Sequence, residues 1–215
     1  MKSMRESLPE TVDGLRAQAQ AMHDAREEAL VRCRKLGQLA AKSIRHVHRR
    51  QFDEAEKLLT EAKEQAVAAR DILSRQPQLN PAYLHDTEKE MVEAASVLAI
   101  VGNRSLPTAA ELGASTMSYL NGLGEAASEV RRFVLDEMRA GNVKEAERIF
   151  ADMEAIYEEL MTFDFADSLT QGLRRTCDSL RPVIERTRTD LTASAIQLEL
   201  IRELQSASLT RQSQE

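Results

Sequence analysis

From Thr11 to His48 the chain repeats apolar or small residues in steps of mostly three and four: Val12, Leu15, Ala19, Met22, Ala29, Cys33, Leu36, Ala40, Ile44 and Val47. One break interrupts the stripe, where Arg26 falls on it. Such steps put the side chains on one helix face, as a coiled-coil-like seam does. At 1.5 Å per residue the segment would be about 57 Å long. A helix of that length seldom belongs to a compact small bundle, so the stripe predicts an elongated shape or a seam between copies. Composition points the same way. The 215 residues hold only 8 Gly and 5 Pro, about half the usual combined share of roughly 12%. Few breakers mean few turns, which excludes a fold of many short strands. Ala, Leu, Glu, Arg and Gln, all strong helix formers, fill the chain. The expected class is all-α, about seven helices in an elongated bundle.

Further segments follow with caps and stops. Asp53 is placed to cap a second helix, with Glu56 as its capping-box partner. That helix ends before Gln76-Pro77, and Asn80-Pro81 opens a third that runs to about Gly102. Ser105 to Gly113 reads as a loop with one short helical turn. A fourth long helix is expected over Ser115–Ala140, stopped by Gly141, with Asn142 capping the next. The last begins near Asp167 and continues to about Leu204, with Pro182 expected to kink it or to leave a backbone carbonyl unpaired. There is no internal repeat, and no linker divides domains. The reading is a flexible leader over 1–10, one all-α domain over 11–205 and a flexible tail over 206–215.

Lys+Arg total 29 against 35 Asp+Glu, a net charge of −6. An acidic chain is a poor generic coat for nucleic acid, although a local basic patch can override the average. Cys33 and Cys177 have neither metal-ligand spacing nor a disulfide framework and read as core filler. The longest apolar run, about Val97 to Val101, is far short of a membrane span. The start carries no apolar signal region. A cytoplasmic, reducing compartment is expected.

No phosphate-binding loop, His-Glu-x-x-His, Cys-x-x-Cys or Glu-x-x-His pair is present. Carboxylates remain. Glu90 and Glu93 are i, i+3 on the third helix; Glu125 and Glu129 are i, i+4 on the fourth. Each pair projects from one helix face. Were the two faces to meet, the acids would need a cation between them, and oxygen donors suit Mg²⁺ or Mn²⁺. The plainer reading of the same spacing is solvated helix surface, because 35 acids make such pairs common. Small neighbours, Ala94-Ala95 and Ala126-Ala127, would allow a close helix approach and also simply make good helix. Basic residues cluster at Arg45-His46-Val47-His48-Arg49-Arg50, at Arg131-Arg132, and at Arg174-Arg175 with Arg181. The first cluster fits the C-terminus of its helix on dipole grounds, with a phosphate contact as the second reading. His46 and His48, two apart, face different directions and do not suit a shared metal.

The order of these motifs resembles the translin/TRAX family. Tyr119-Leu120-Asn121-Gly122-Leu123-Gly124-Glu125-Ala126-Ala127-Ser128-Glu129-Val130-Arg131-Arg132 is similar to that family's Tyr-Leu-x-Gly … Glu-Leu-x-Arg segment. Glu88-Lys89-Glu90-Met91-Val92-Glu93-Ala94 is similar to the Gln-Glu-Tyr-Val-Glu-Ala of TRAX. The stretches from Leu173 to Arg181 and from Glu185 to Thr192 resemble the family's last helix. The resemblance covers about Arg26 to Thr192, and the chain looks most like the archaeal-type TRAX-like proteins. It implies an all-α fold and hollow octamers that bind single-stranded RNA and DNA. For the TRAX branch it implies a Mg²⁺-dependent endoribonuclease. Carried over by position, Glu90, Glu93, Glu125 and Glu129 fall on the TRAX catalytic acids, although TRAX has Asp where this chain has Glu125.

Three functions compete at this point. The first is an endoribonuclease cutting short single-stranded RNA, with the four glutamates as catalytic and Mg²⁺- or Mn²⁺-binding residues. Arg45, Arg49, Arg50, Arg131 and Arg132 would hold phosphates, and the chain would form a homo-oligomer, an octamer by the resemblance. The second is a non-catalytic shell binding single-stranded nucleic acid. The third, an all-α nucleotide pyrophosphohydrolase, fits Glu90-x-x-Glu93 but not the Glu125-x-x-x-Glu129 spacing.

Overall fold

Helix-forming sequence with few breakers produces helices and nothing else. In the computed structural model, which describes residues 3–79 and 82–212, the described residues form α-helices and no strand. In chain order they are α1 (Met4–His48), α2 (Phe52–Ser74), α3 (Ala82–Val101), α4 (Ala109–Leu112), α5 (Thr116–Glu129), α6 (Arg131–Arg139), α7 (Val143–Leu160), α8 (Asp167–Thr170) and α9 (Leu173–Gln212). Two of these, α4 and α8, are single turns, so seven helices carry the fold. Among the described residues no helix is long and apolar enough to cross a membrane.

Several expected boundaries are corrected. The first helix starts at Met4 rather than Thr11 and runs through Pro9. The Glu6 carboxylate accepts a hydrogen bond of 2.7 Å from the Ser3 amide and so satisfies a donor at the helix start. Asp53 is not a cap: Gln51 holds that position, and Asp53 lies in the first turn, where its charge faces the positive end of the helix dipole. The fourth helix breaks at Val130 into α5 and α6. Asn142 stands at the cap position of α7, but its side-chain amide donates to Glu137 Oε2 at 2.8 Å instead of capping. The last helix continues through Pro182 and reaches Gln212, since only residues of modest helix penalty follow. Asn80 and Pro81, expected to open the third helix, lie outside the described residues.

The chain divides into two compact units. The first comprises Met1–Ala94 and Thr108–Tyr119; the second comprises Ala95–Pro107 and Leu120–Glu215. In the first, α1 and α2 form a helical hairpin. The amides of Arg49, Arg50 and Gln51 donate to the carbonyls of His46, Val47 and His46 at 3.0, 2.9 and 2.9 Å. Arg50 takes a φ of 58°, the left-handed conformation that ends helices. The seam of α2 is Ala55, Leu59, Ala62, Ala66, Ala69 and Leu73, alternating steps of four and three. Its alanines let α1 approach closely. Ala29 and Cys33 of α1 pack there with Ala69, Leu73 and Leu84. The expected stripe of α1 is covered only in its later part. Ala29, Cys33, Leu36, Ala40 and Val47 are buried, while Leu15 is 59% exposed.

In the second unit α6, α7 and α9 pack on one another. The buried face of α7 is Ala146, Ile149, Phe150, Met153 and Leu160. Phe133 and Val134 of α6 and Leu173, Cys177, Leu180 and Ile184 of α9 are buried with it. Each such aliphatic or aromatic side chain contributes about 1.5–3 kcal/mol by leaving water. Gly141, at φ 80°, stops α6 as its sequence position implies. Both cysteines are free and buried, and burial pushes both thiols up, which agrees with core filler.

Candidate functional site

Three of the four carboxylates singled out by spacing do not sit on ordinary solvated helix faces. From Met91 to Val101 every residue of α3 is buried except Glu93, which is half-buried. From Leu120 to Val130 every residue is buried except Glu125, Ser128 and Glu129, again half-buried. Steps of three and four put those three on one side of α5. Glu90 is exposed. A carboxylate held partly out of water in apolar surroundings is costly unless hydrogen-bonded or paired with a cation. Glu90 and Glu93 belong to the first unit, Glu125 and Glu129 to the second.

In the first unit, the neighbours of Glu90 are set by two features. Gly37 of α1 leaves room for the Glu90 carboxylate: a Cβ there would lie 2.8 Å from Glu90 Oε2. Glu88, two residues earlier, is 2% exposed and ion-paired to Arg70 of α2. Its other oxygen accepts from the Ser115 amide at 3.1 Å. Glu88 thereby ties α3 to α2 and to the start of α5. The sequence reading assigned it no role, because a buried glutamate and a surface glutamate look alike in a helix.

In the second unit, α5 is locked by groups just before its acids. Asn121 is buried; its amide donates to the Thr170 carbonyl at 3.1 Å, and its oxygen accepts from Thr176 Oγ1 at 2.8 Å. Gly124 brings α5 against α9 so closely that a Cβ would lie 2.5 Å from Thr176 Cγ2. Sequence reasoning missed Asn121. Its signal was a polar residue inside the apolar run Tyr119 to Leu123.

The basic candidates separate into two kinds. Arg45, Arg49 and Arg50 are exposed around the α1–α2 turn, and Arg132 is exposed on α6. Arg131 is half-buried and committed: its guanidinium donates to Asp190 Oδ2 of α9 at 2.7 Å. It therefore braces α6 against α9. His46 Nδ1 lies 2.8 Å from Gln51 Oε1 at the turn.

Oxygen donors of the kind Mg²⁺ takes are thus present in pairs. Among the described residues neither unit gathers three or more His, Cys, Asp or Glu into a ready-made metal cage. Mg²⁺ seldom needs one. It retains waters and is commonly held by one or two carboxylates together with substrate phosphates. The donor set therefore fits the ion.

The chain matches no family profile. It is 33% identical over 177 residues to an uncharacterized protein of Methanocaldococcus jannaschii, MJ0175, covering 81% of this chain and 78% of that protein. The crystal structure of AfC3PO superposes with a TM-score of 0.80 at 32% identity, covering 87% of this chain and 98% of that one. AfC3PO in its complex with duplex RNA gives a TM-score of 0.77 at the same 32% identity, over 87% and 97%. Apo-NeC3PO, at 23% identity and a TM-score of 0.76 over 85% and 96%, shares the fold.

Proposed function

Because the chain belongs to the translin/TRAX family, we propose that it binds RNA and cuts it as a Mg²⁺-dependent endoribonuclease. The observation that carries the catalytic half of this reading is the half-buried state of Glu93, Glu125 and Glu129 within otherwise buried helix. The RNA half draws on AfC3PO, which has been solved with duplex RNA. The substrate proposed is short single-stranded RNA, with a duplex as the necessary comparison.

Glu90 and Glu93 in the first unit, and Glu125 and Glu129 in the second, would each be a pair able to hold Mg²⁺ or Mn²⁺ together with substrate phosphates. When bound, such an ion neutralises phosphodiester charge and makes water more acidic. One of the glutamates would take the proton of the attacking water. Arg45, Arg49, Arg50 and Arg132 would hold backbone phosphates through charge-assisted hydrogen bonds. Arg131, bound to Asp190, would position rather than bind. The exposed apolar side chains Met4, Leu8 and Leu15 of α1 and Ile196, Leu200 and Leu204 of α9 support assembly into a homo-oligomer, with an octamer as the proposed state.

The exposure of Glu90, which sets it apart from the three half-buried acids, favours a second reading: a shell that binds RNA without cutting it. One experiment separates the two. Labelled short RNA, single-stranded and duplex, is incubated with and without Mg²⁺, using wild type and Glu129→Ala. Metal-dependent cutting that the variant lacks is the expected result. Retained binding with no cutting by wild type would establish the shell, and undiminished cutting by Glu129→Ala would sink the site.

A further inference from the structure

The second unit holds a cleft of about 300 Å³ that none of the four candidate glutamates lines. Phe163, Phe165, Asp164, Arg174, Asp178 and Arg181 are among its walls. Phe163 and Phe165 follow α7, and Arg174 to Arg181 lie on α9. The chain has only five Phe and no Trp, yet two of them stand together here, 36% and 60% exposed. Their ring centroids are 6.4 Å apart and tilted by 55°. A phenylalanine left in water forgoes about 1.5–3 kcal/mol of burial. Two side by side at a cleft are therefore a surface built to be covered.

The charges of the cleft say by what. Arg181 is engaged, donating to Tyr157 Oη at 2.9 Å and lying 3.7 Å from Asp178. Arg174 is exposed and has no ion pair among the described residues. The cleft thus offers flat aromatic faces, one uncommitted guanidinium and carboxylate acceptors. Its volume is at the low end of the roughly 300–1,000 Å³ of small-molecule sites. We propose that it binds one nucleotide. The base stacks on Phe165 and Phe163, the phosphate meets Arg174, and Asp164 and Asp178 accept from ribose hydroxyls or base amino groups. A protein partner would favour a broad apolar face, whereas here an arginine pair and two aspartates line the same small recess. The nucleotide is either free or one residue of a single strand; the chemistry is shared.

The test is calorimetric titration of the full chain, without metal, with adenosine monophosphate, adenosine and a five-nucleotide oligoadenylate RNA. Wild type is compared with Phe165→Ala and Arg174→Gln, both at exposed positions, with thermal melts to show that folding is kept. Phe165→Ala is expected to weaken adenosine monophosphate and adenosine roughly 10-fold. Arg174→Gln is expected to weaken only the phosphorylated ligands. Binding of the oligonucleotide alone, weakened by both variants, assigns the cleft to a strand; binding of the monophosphate as well assigns it to a free nucleotide. Affinities unchanged in both variants, or no binding of any probe by wild type, overturn the proposal. So does a Phe165→Ala protein that changes only its sedimentation, which would make the aromatic pair a protein interface. Mg²⁺-dependent cutting at the carboxylates is read separately, so either idea can fail without the other.

Discussion

Glu61 and Glu64 on α2 have the same i, i+3 spacing as Glu90 and Glu93 on α3, yet only the α3 pair has a half-buried member, Glu93. Both α2 glutamates are exposed, with half of that helix open to water. On α3, Glu93 is the one half-buried residue in a stretch otherwise buried from Met91 to Val101. Glu125 and Glu129 on α5 repeat the α3 case. Spacing fixes which side of a helix two acids share. The residues around them fix what that side faces. Between Lys63 and Arg70 the α2 neighbours mix Gln, Ala, Val and Arg, whereas Glu125 is preceded by Leu123-Gly124 and followed by Ala126-Ala127. An acid set among small and apolar residues is drawn into the packing that they drive.

The largest expected effect breaks or keeps this contrast at once. Under the proposed function, Glu129→Ala should lower RNA cleavage by roughly 10²-fold or more, the scale of losing a general base or equivalent group. Glu64→Ala should leave the rate within about twofold, as a surface change away from such features does. Equal losses in a gel-based cleavage assay would mean that burial does not distinguish the two pairs.

Gly124→Val comes next, because it attacks the packing that holds the α5 acids half-buried. Thr176 would have to rotate away from the new Cβ, and its hydroxyl is held by Asn121 at 2.8 Å. Overpacking of this kind costs about 1–3 kcal/mol, a drop in Tm of roughly 3–10 °C. Gly14, where an added Cβ meets nothing within 4 Å, is the control. Gly14→Ala in the exposed early part of α1 should leave Tm unchanged or raise it slightly. A Gly124→Val protein melting with wild type would show that α5 and α9 are not tightly joined.

Much of this architecture is legible in the sequence, and the parts that are not share a cause. Helix class and the apolar stripe of α1 follow from steps of three and four, because a buried face must repeat as the helix does; that α2 covers the later part of that stripe does not. The start at Met4 lies before the apolar stripe, whose first member is Val12, so periodicity does not mark it. The break at Val130 has no breaker residue to announce it; the chain there is Ser-Glu-Val-Arg-Arg. For the site, the candidate pairs were visible and their burial was not, since it depends on which helices cover each face. Glu88 and Asn121 were missed for that reason: their partners lie 18 to 55 residues away in sequence. Arg131 could not be told from Arg132 until Asp190 was found beside it.

Glu88 sharpens the contrast from the structural side. Its carboxylate serves Arg70 and the Ser115 amide, so it is buried for packing and not for chemistry. Glu88→Gln keeps the shape and removes the charge. It should destabilise by about 1 kcal/mol, the net worth of a typical hydrogen bond, because Arg70 is 41% exposed and water can replace part of the lost pairing. Glu64→Gln should not move the melt. A Glu88→Gln protein that melts normally but no longer cuts RNA would transfer Glu88 from the scaffold to the site.

The smallest effect concerns a third kind of glutamate, one that is exposed yet held by a helix cap. The Glu111 carboxylate accepts from the Thr108 amide at 2.7 Å and from Thr108 Oγ1 at 2.8 Å, in the capping box of α4. The backbone bond first, and the hydroxyl second, hold its carboxyl below the ordinary glutamate range. A carboxyl lowered in the folded state stabilises that state above the ordinary glutamate pKa. The contribution is lost as pH falls through the lowered value. Carbon NMR of the side chain should therefore place the Glu111 midpoint low, with amide protection in α4 declining over the same acid range. Thr108→Val should move that midpoint only part of the way back, because the larger cause is the backbone amide, which the variant keeps. A full return to the ordinary value would mean that the hydroxyl, and not the backbone, sets the charge of Glu111. The acids of this chain would then divide differently from the way their hydrogen bonds divide them.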